Sequence, residues 1–337
     1  MYLKYYIGAQ SSQANLIKRI IMKTKTIVTI LAGLLVVAVV SVGLLAANAD
    51  NLGRKPDKLK PVHATDIELV KKISVRGKPS WAGGGGKPIE EQQAATGILG
   101  EPSGNKRYAI VAGISDYPGI ANDLEYSDDD AEEMNYALTE IYGFKTANIA
   151  LLMNLAATRS AILDAIDAIP TDADEIVFFF SGHGMSGHAD DGDKEGKDEA
   201  VVAHDGDPDG RLVPIWDGEL ADAFSGFTTS RIICIFDTCL AGGMAGDLEG
   251  PGRVIAMACG ENGYAYESED WGNGEFTYYF VEKGMRDGLA NIHDYDEDEA
   301  LNEPEWVTVE ESFDYAKANC VSDKPTVADE FDDDLLP

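Results

Sequence analysis

Basic residues are scarce in this sequence. Of 337 residues, 27 are Lys or Arg and 59 are Asp or Glu, a net charge of −32. That shortage excludes a nucleic-acid binder, because a polyanionic partner would be repelled. It leaves basic substrates, divalent cations or a solvated acidic surface. Cysteine is scarce too, with four in the chain. An exported protein could form one disulfide from them and leave two thiols free, and the pairing does not follow from sequence. What is ordinary is the apolar content, 45 %, enough for a sizeable core.

The few basic residues are unevenly placed. Residues 50–106 hold ten Lys/Arg and seven Asp/Glu, a net +3, whereas residues 107–337 hold twelve and fifty-two, a net −40. A basic leader therefore precedes an acidic body. Ahead of both, Lys23 and Lys25 precede an apolar run from Ile27 to Ala47 that ends in Ala47-Asn48-Ala49. A positive flank, an apolar stretch and a small-x-small end make residues 1–49 a signal peptide or an uncleaved membrane anchor. Either form exports the rest, so the expected location is secreted or extracytoplasmic, with membrane contact only through that segment. Residues 50–106 contain RKPDKLKP and KPSWAGGGGKP and show no period of two or 3.6. They read as a flexible linker or propeptide whose removal costs the fold little.

From Arg107 strands and helices alternate. Tyr108–Ile114, Asn148–Met153, Glu175–Phe180, Arg231–Phe236 and Arg253–Ala258 read as buried strands. Asp123–Tyr142 has apolar residues at helical spacing, acids in its first turns and Gly143 to stop it. Thr158 caps a second helix, Asp217–Phe224 forms a third and Glu275–Met285 a fourth. A long polar loop fills the space between Phe180 and Asp217. The order implies an α/β domain over 107–290, with a mostly parallel sheet covered by helices on both faces. Residues 291–337 read as an acidic C-terminal segment with a degenerate EF-hand-like loop followed by a helix.

Sites in such sheets lie at the carboxyl ends of strands. One strand runs into Ser181-Gly-His183-Gly184, another into Asp237-Thr-Cys239-Leu-Ala-Gly-Gly. A lone cysteine at a strand end is more often a small buried hydrophobe, and a lone histidine more often structural. Paired at neighbouring strand ends, they have the arrangement that thiol nucleophiles need, since an imidazole takes the thiol proton. Gly184 allows close backbone approach, and its N–H with that of Cys239 suits an oxyanion.

FFFSGHG followed by IFDTCLAGG resembles the His and Cys signatures of caspase-like cysteine peptidases, most closely the metacaspase and bacterial or archaeal branch. RYAIVAGISDY, the DDDAEEMNYAL…YGF stretch and ENGYAYES…GEFTYYF resemble other parts of that family, over about residues 107–290. Legumain and clostripain relatives share the two signatures. The resemblance implies a caspase-like three-layer sandwich and a catalytic pair, His183 and Cys239. It also implies a basic-residue pocket lined by Asp130, Ser181 and Asp237, with Lys or Arg before the scissile bond of peptide or protein substrates. The flanks of Cys239 depart from the usual metacaspase Asp-Ser-Cys-His-Ser-Gly. No cofactor is needed for the chemistry, but many metacaspases depend on calcium, and Asp198, Asp217 and Asp247 fall near the matching places. Asp294, Asp296 and Asp298 have the 1-3-5 spacing of a degenerate EF-hand-like loop in which Glu299 replaces the turn glycine. Two other classes stay open: an inactive calcium-binding surface module of the same fold, and a transpeptidase or ligase using the same pair. The basic leader beside an acidic cleft predicts self-processing, around Arg76, Lys78 or Lys87, or in the loop with Lys194, Lys197 and Arg211. Oligomeric state is not readable from the sequence.

Overall fold

The structure is a computed structural model that describes residues 62–75, 94–190, 197–206 and 211–337. Its centre is a six-stranded sheet, built where the sequence is most continuously apolar. The strands are β3 (Arg107–Gly113), β4 (Ile149–Met153), β5 (Glu175–Ser181), β9 (Ile232–Asp237), β10 (Arg253–Met257) and β13 (Thr326–Asp329). Their order is β13-β10-β9-β5-β3-β4, and all pairs are parallel except β13 with β10. Alternate residues of one strand feed two separate cores. Ile176, Phe178 and Phe180 face one side and Val177 and Phe179 the other; Ile232, Cys234 and Phe236 oppose Ile233 and Ile235 in the same way. A strand apolar at every position is what two covered faces require.

Helices supply the cover. α1 (Ser127–Tyr136) continues with π-type bonding through Ala137–Ile141, and Gly143, at φ 69°, turns the chain out of it. Its first turn carries Asp128, Asp129 and Asp130, where the helix dipole favours negative charge. α2 (Arg159–Asp167) is capped by Thr158, whose hydroxyl accepts the Ala161 N–H at 3.1 Å. α3 (Asp217–Phe224) joins α2 on the first face through Ile162, Ile166, Leu220 and Phe224. On the other face lie α1, α5 (Glu275–Thr277, extended as Tyr278–Arg286) and α6 (Val309–Asn319), through Met134, Phe276, Phe280 and Phe313. A short α4 (Ala245–Leu248) follows β9. Two covered faces give the three-layer α/β architecture expected from the sequence.

Three sequence expectations need correction. The stretch 50–106 is not without regular structure. β1 (Ala64–Val70) pairs antiparallel with β6 (Gly184–Ala189), and β2 (Ile73–Val75) pairs parallel with β11 (Tyr266–Ser268). The polar loop after β5 also contains strands. β6, β7 (Asp198–Gly206) and β8 (Leu212–Trp216) form an antiparallel sheet with β1 at its edge. Its apolar runs, Ala-Val-Val-Ala and Ile-Trp, are short and bury Val201, Val202, Ile215 and Trp216. Finally, the domain does not end at residue 290, because the acidic C-terminal segment is part of it. α6 covers the sheet, and β13 is an edge strand of it.

All four cysteines are free, so the disulfide that export would permit is not formed. The signal-peptide or anchor segment 1–49, the Arg76–Lys87 region and Lys194 lie outside the described residues. Among the described residues no helix is long and apolar enough to cross a membrane.

Candidate active site

β5 and β9 are adjacent and parallel, with Ser181 paired to Asp237. Two residues beyond that pair, His183 and Cys239 leave neighbouring strand ends side by side. Gly184 is required there, because a Cβ would lie 2.1 Å from the Cys239 carbonyl oxygen. His183 is held from several directions. Its Nε2 lies 2.7 Å from the Asn122 carbonyl, which only accepts, so Nε2 carries the proton and Nδ1 is the free base. Tyr117 stacks on the ring at 4.7 Å between centroids, and its hydroxyl accepts the His183 N–H at 3.0 Å. Across from it, the Cys239 sulfur accepts the Ala265 N–H at 3.2 Å.

The site is covered by the leader. The backbone N–H of Lys72 donates to His183 Nδ1 at 3.2 Å, and the Cys239 thiol points to the Lys71 carbonyl at 3.3 Å. The Lys72 side chain is fully buried and ends between acids, with Nζ 2.8 Å from Asp237 Oδ1, 3.2 Å from Asp130 Oδ2 and 3.0 Å from Ser181 Oγ. The pocket residues are in turn fixed. Ser181 donates to Asp130 Oδ2 at 2.6 Å, and the Gly274 N–H to Asp130 Oδ1 at 2.8 Å. Thr277 donates its N–H and hydroxyl to Asp237 Oδ2 at 3.0 and 2.6 Å. Gly274 closes the pocket from above, and a Cβ there would meet Asp237 Oδ2 at 2.3 Å and Lys72 Nζ at 2.6 Å. Glu267, on β11, accepts the Ser74 hydroxyl at 2.5 Å and the N–H groups of Glu125 and Tyr126 ahead of α1.

Electrostatics follow from this covering. Burial works against the Lys72 ammonium, but Asp237, Asp130 and Glu267 outweigh it and hold its pKa above the ordinary lysine value. Burial pushes the Asp130 carboxyl up to about 7, against the pull of Lys72. We hold Lys72 to be charged here, because Asp237 bonds it most closely. Burial, helped by Lys71 and Lys72, lowers His183 to about 4 although the Asn122 carbonyl favours the proton. Burial pushes the Cys239 thiol up to about 11, opposed by the Ala265 N–H and Lys72. With the leader docked, the pair rests as neutral imidazole and neutral thiol.

The structure therefore brings together His183, Gly184, Cys239, Asp130, Ser181 and Asp237 from the sequence reading. Among the described residues, Asp198, Asp217 and Asp247 do not form a three-residue cluster of ligand atoms. Asp198 instead accepts the Ala189 N–H at 2.6 Å, and Asp217 that of Gly218 at 3.1 Å. Asp294, Asp296 and Asp298 do converge, but they are exposed and accept the N–H groups of Asp298, Glu299 and Ala300 within their own loop. Sequence reasoning missed Lys72, Asn122, Tyr117, Gly274 and Thr277. Gly274 and Thr277 lie in the GEFTYYF stretch that resembles the family. Lys72 carried no signal that set it apart from nine other basic residues of the leader.

The caspase-domain family model, Peptidase C14, matches residues 106–300. That is more than half of the chain, and the chain belongs to this family. Metacaspase-1 of Schizosaccharomyces pombe is 29 % identical over 150 residues, covering 41 % of this chain and 34 % of that protein. Metacaspase-1 of Kluyveromyces lactis is 31 % identical over 148 residues, again 41 % and 34 %. Metacaspase-8 of Arabidopsis thaliana is 32 % identical over 108 residues, 29 % and 28 %. The chain thus spans about a third of the length of these relatives. The crystal structure of the Drosophila initiator caspase Dronc aligns with a TM-score of 0.46 and 11 % identity, over 80 % of this chain and 97 % of that one.

Proposed function

We propose that the protein is a cysteine endopeptidase that cuts after Lys or Arg, with Cys239 as nucleophile and His183 as base. The observation that carries this reading is the Lys72 ammonium seated between Asp237 and Asp130, directly beside the thiol. A buried pocket that accommodates an ammonium with three partners is built for a basic side chain. When a substrate carbonyl replaces the leader over the sulfur, His183 Nδ1 takes the thiol proton, because Nε2 is committed to Asn122. Sulfur adds to the carbonyl carbon, and the N–H groups of Gly184 and Cys239, at the two strand ends, receive the oxyanion. The imidazolium returns the proton to the leaving amine, and water activated by the same nitrogen releases the acid.

The docked leader is a poor substrate by the same geometry. The pocket holds the Lys72 side chain, yet the carbonyl at the sulfur belongs to Lys71 and the N–H at the imidazole to Lys72. Pocket and reacting groups are one residue out of register, so the segment 71–75 acts as a competitive plug. Self-processing, where it occurs, falls on segments other than this one.

The test is hydrolysis of matched fluorogenic peptides ending in Arg, Lys or Asp by the Lys72→Met protein. Arg and Lys peptides should be cut and the Asp peptide ignored, Cys239→Ala should remove at least about 99 % of turnover, and Asp237→Asn should weaken basic peptides by about 2–4 kcal/mol, the scale of a desolvated charge pair. Equal cleavage after Asp and Arg would sink the assignment.

A further inference from the structure

The loop after α6 reaches back to the groove from beyond the residues matched by the family model. Asp323, fully buried, lies in it. Its Oδ1 accepts the Tyr266 N–H and its Oδ2 the Phe276 N–H, each at 3.0 Å. Tyr266 opens β11, the strand along which Ile73–Val75 docks, and it follows Ala265, whose N–H meets the Cys239 sulfur. Phe276 sits between Gly274 and Thr277, which hold Asp130 and Asp237. One carboxylate therefore ties the strand that receives a peptide backbone to the wall of the basic pocket. Glu275 answers from the other side, with Oε1 accepting the Val321 N–H at 2.9 Å and Oε2 those of Ser322 and Asp323 at 2.7 Å each.

Glu275, Cys320 and Asp323 also place ligand atoms within 4.8 Å of one another. A cation is not needed to explain that cluster, because all four carboxylate oxygens already accept backbone N–H groups. The bonding is that of a clasp between two loops.

We propose that Asp323 is a positioning residue for extended peptides: it fixes the spacing between β11 and the basic pocket, so that a peptide is gripped by its backbone and its basic side chain at once. The inference rests on the pocket being a substrate site. Asp323→Asn keeps the size but leaves one oxygen, and sets an amide N–H against a backbone N–H. A single lysine derivative needs only the pocket; a tetrapeptide ending in lysine needs both elements.

The experiment is calorimetric binding of acetyl-lysine amide and of a Lys-ended tetrapeptide to the full chain carrying Lys72→Met and Cys239→Ala. Asp323→Asn in that background should weaken the tetrapeptide about tenfold and the single lysine less than twofold, and amide exchange at Tyr266 and Phe276 should accelerate. Glu275→Gln, which slackens the clasp from its other side, should move the same ratio in the same direction and serves if Asp323→Asn does not fold. An unchanged ratio, or equal loss for both ligands, overturns the proposal. A parent protein that binds neither ligand overturns the pocket assignment with it, whereas a parent that binds both, with no peptide cleavage by Lys72→Met that keeps Cys239, refutes the enzyme alone.

Discussion

At the scale of the residue, His183 joins the chemistry to pH. Its imidazole is depressed by burial to about 4, from an ordinary value near 6.5. Between those values the unfolded chain binds a proton that the folded chain refuses. Its contribution to stability is therefore full above about 6.5 and is lost as pH falls toward 4, on the order of 3 kcal/mol. Protonation also removes the acceptor that holds the Lys72 N–H. Asp130, raised to about 7, works the other way, since its folded form keeps a proton as pH rises from about 4 to 7. Comparison with His183→Asn separates the two. The variant should melt more nearly with the wild type at pH 5 than at pH 7.5, and a difference that grows on acidification would be the wrong sign. His183 and Cys239 were legible in the sequence because each follows an apolar strand and precedes glycine. Lys72 was not, because its place is set by contacts with residues 58 to 165 positions away.

The element that matters most at the next scale is the leader strap. β1 donates an edge to β6, and β2 lies along β11. Lys72→Met should vacate the pocket without removing β1. The effect on Cys239 is a contest between two causes. The lost ammonium raises the thiol pKa, while uncovering the site lowers it, and burial is the larger cause. Alkylation of Cys239 by iodoacetamide, located by peptide mass mapping, should therefore be faster by about tenfold or more in Lys72→Met, on the scale of one pKa unit. A slower reaction would show that the strap does not cover the thiol. β5 and β9 could be read from sequence because burial on both faces leaves an uninterrupted apolar run. β1 and β6 could not. β1 is largely exposed, so little apolar pattern marks it, and β6 reads Gly-Met-Ser-Gly-His-Ala. Pairing partners rather than side chains make them strands.

For the whole molecule the charge is the governing quantity. Under the proposed function, the acidic body would draw basic peptides toward a pocket that ends in Asp130 and Asp237. Raising ionic strength from about 0.01 M to about 0.15 M shortens the screening length from about 30 Å to about 8 Å. For Lys72→Met, kcat/KM on a dibasic peptide should fall several-fold over that range while kcat holds. A flat kcat/KM would mean that the field does not steer substrate. The alternation of strands and helices made the parallel sheet legible at this scale. The share of residues 291–337 was hidden, because β13 is only four residues long and joins the sheet against the prevailing direction.

That late strand bears on the order of synthesis. Chains emerge from the ribosome N-terminal end first, at about 5–20 residues per second. His183, Cys239 and the pocket acids all appear before Asp323 and β13 do. For the roughly three to ten seconds needed to make the intervening stretch after Thr277, the thiol exists while the clasp and the sheet edge do not. Lys72, by contrast, is made before any of its partners. The nascent chain thus carries Lys71–Val75 from the start and its finished groove only at the end, so the segment that covers the thiol is already made when Cys239 emerges.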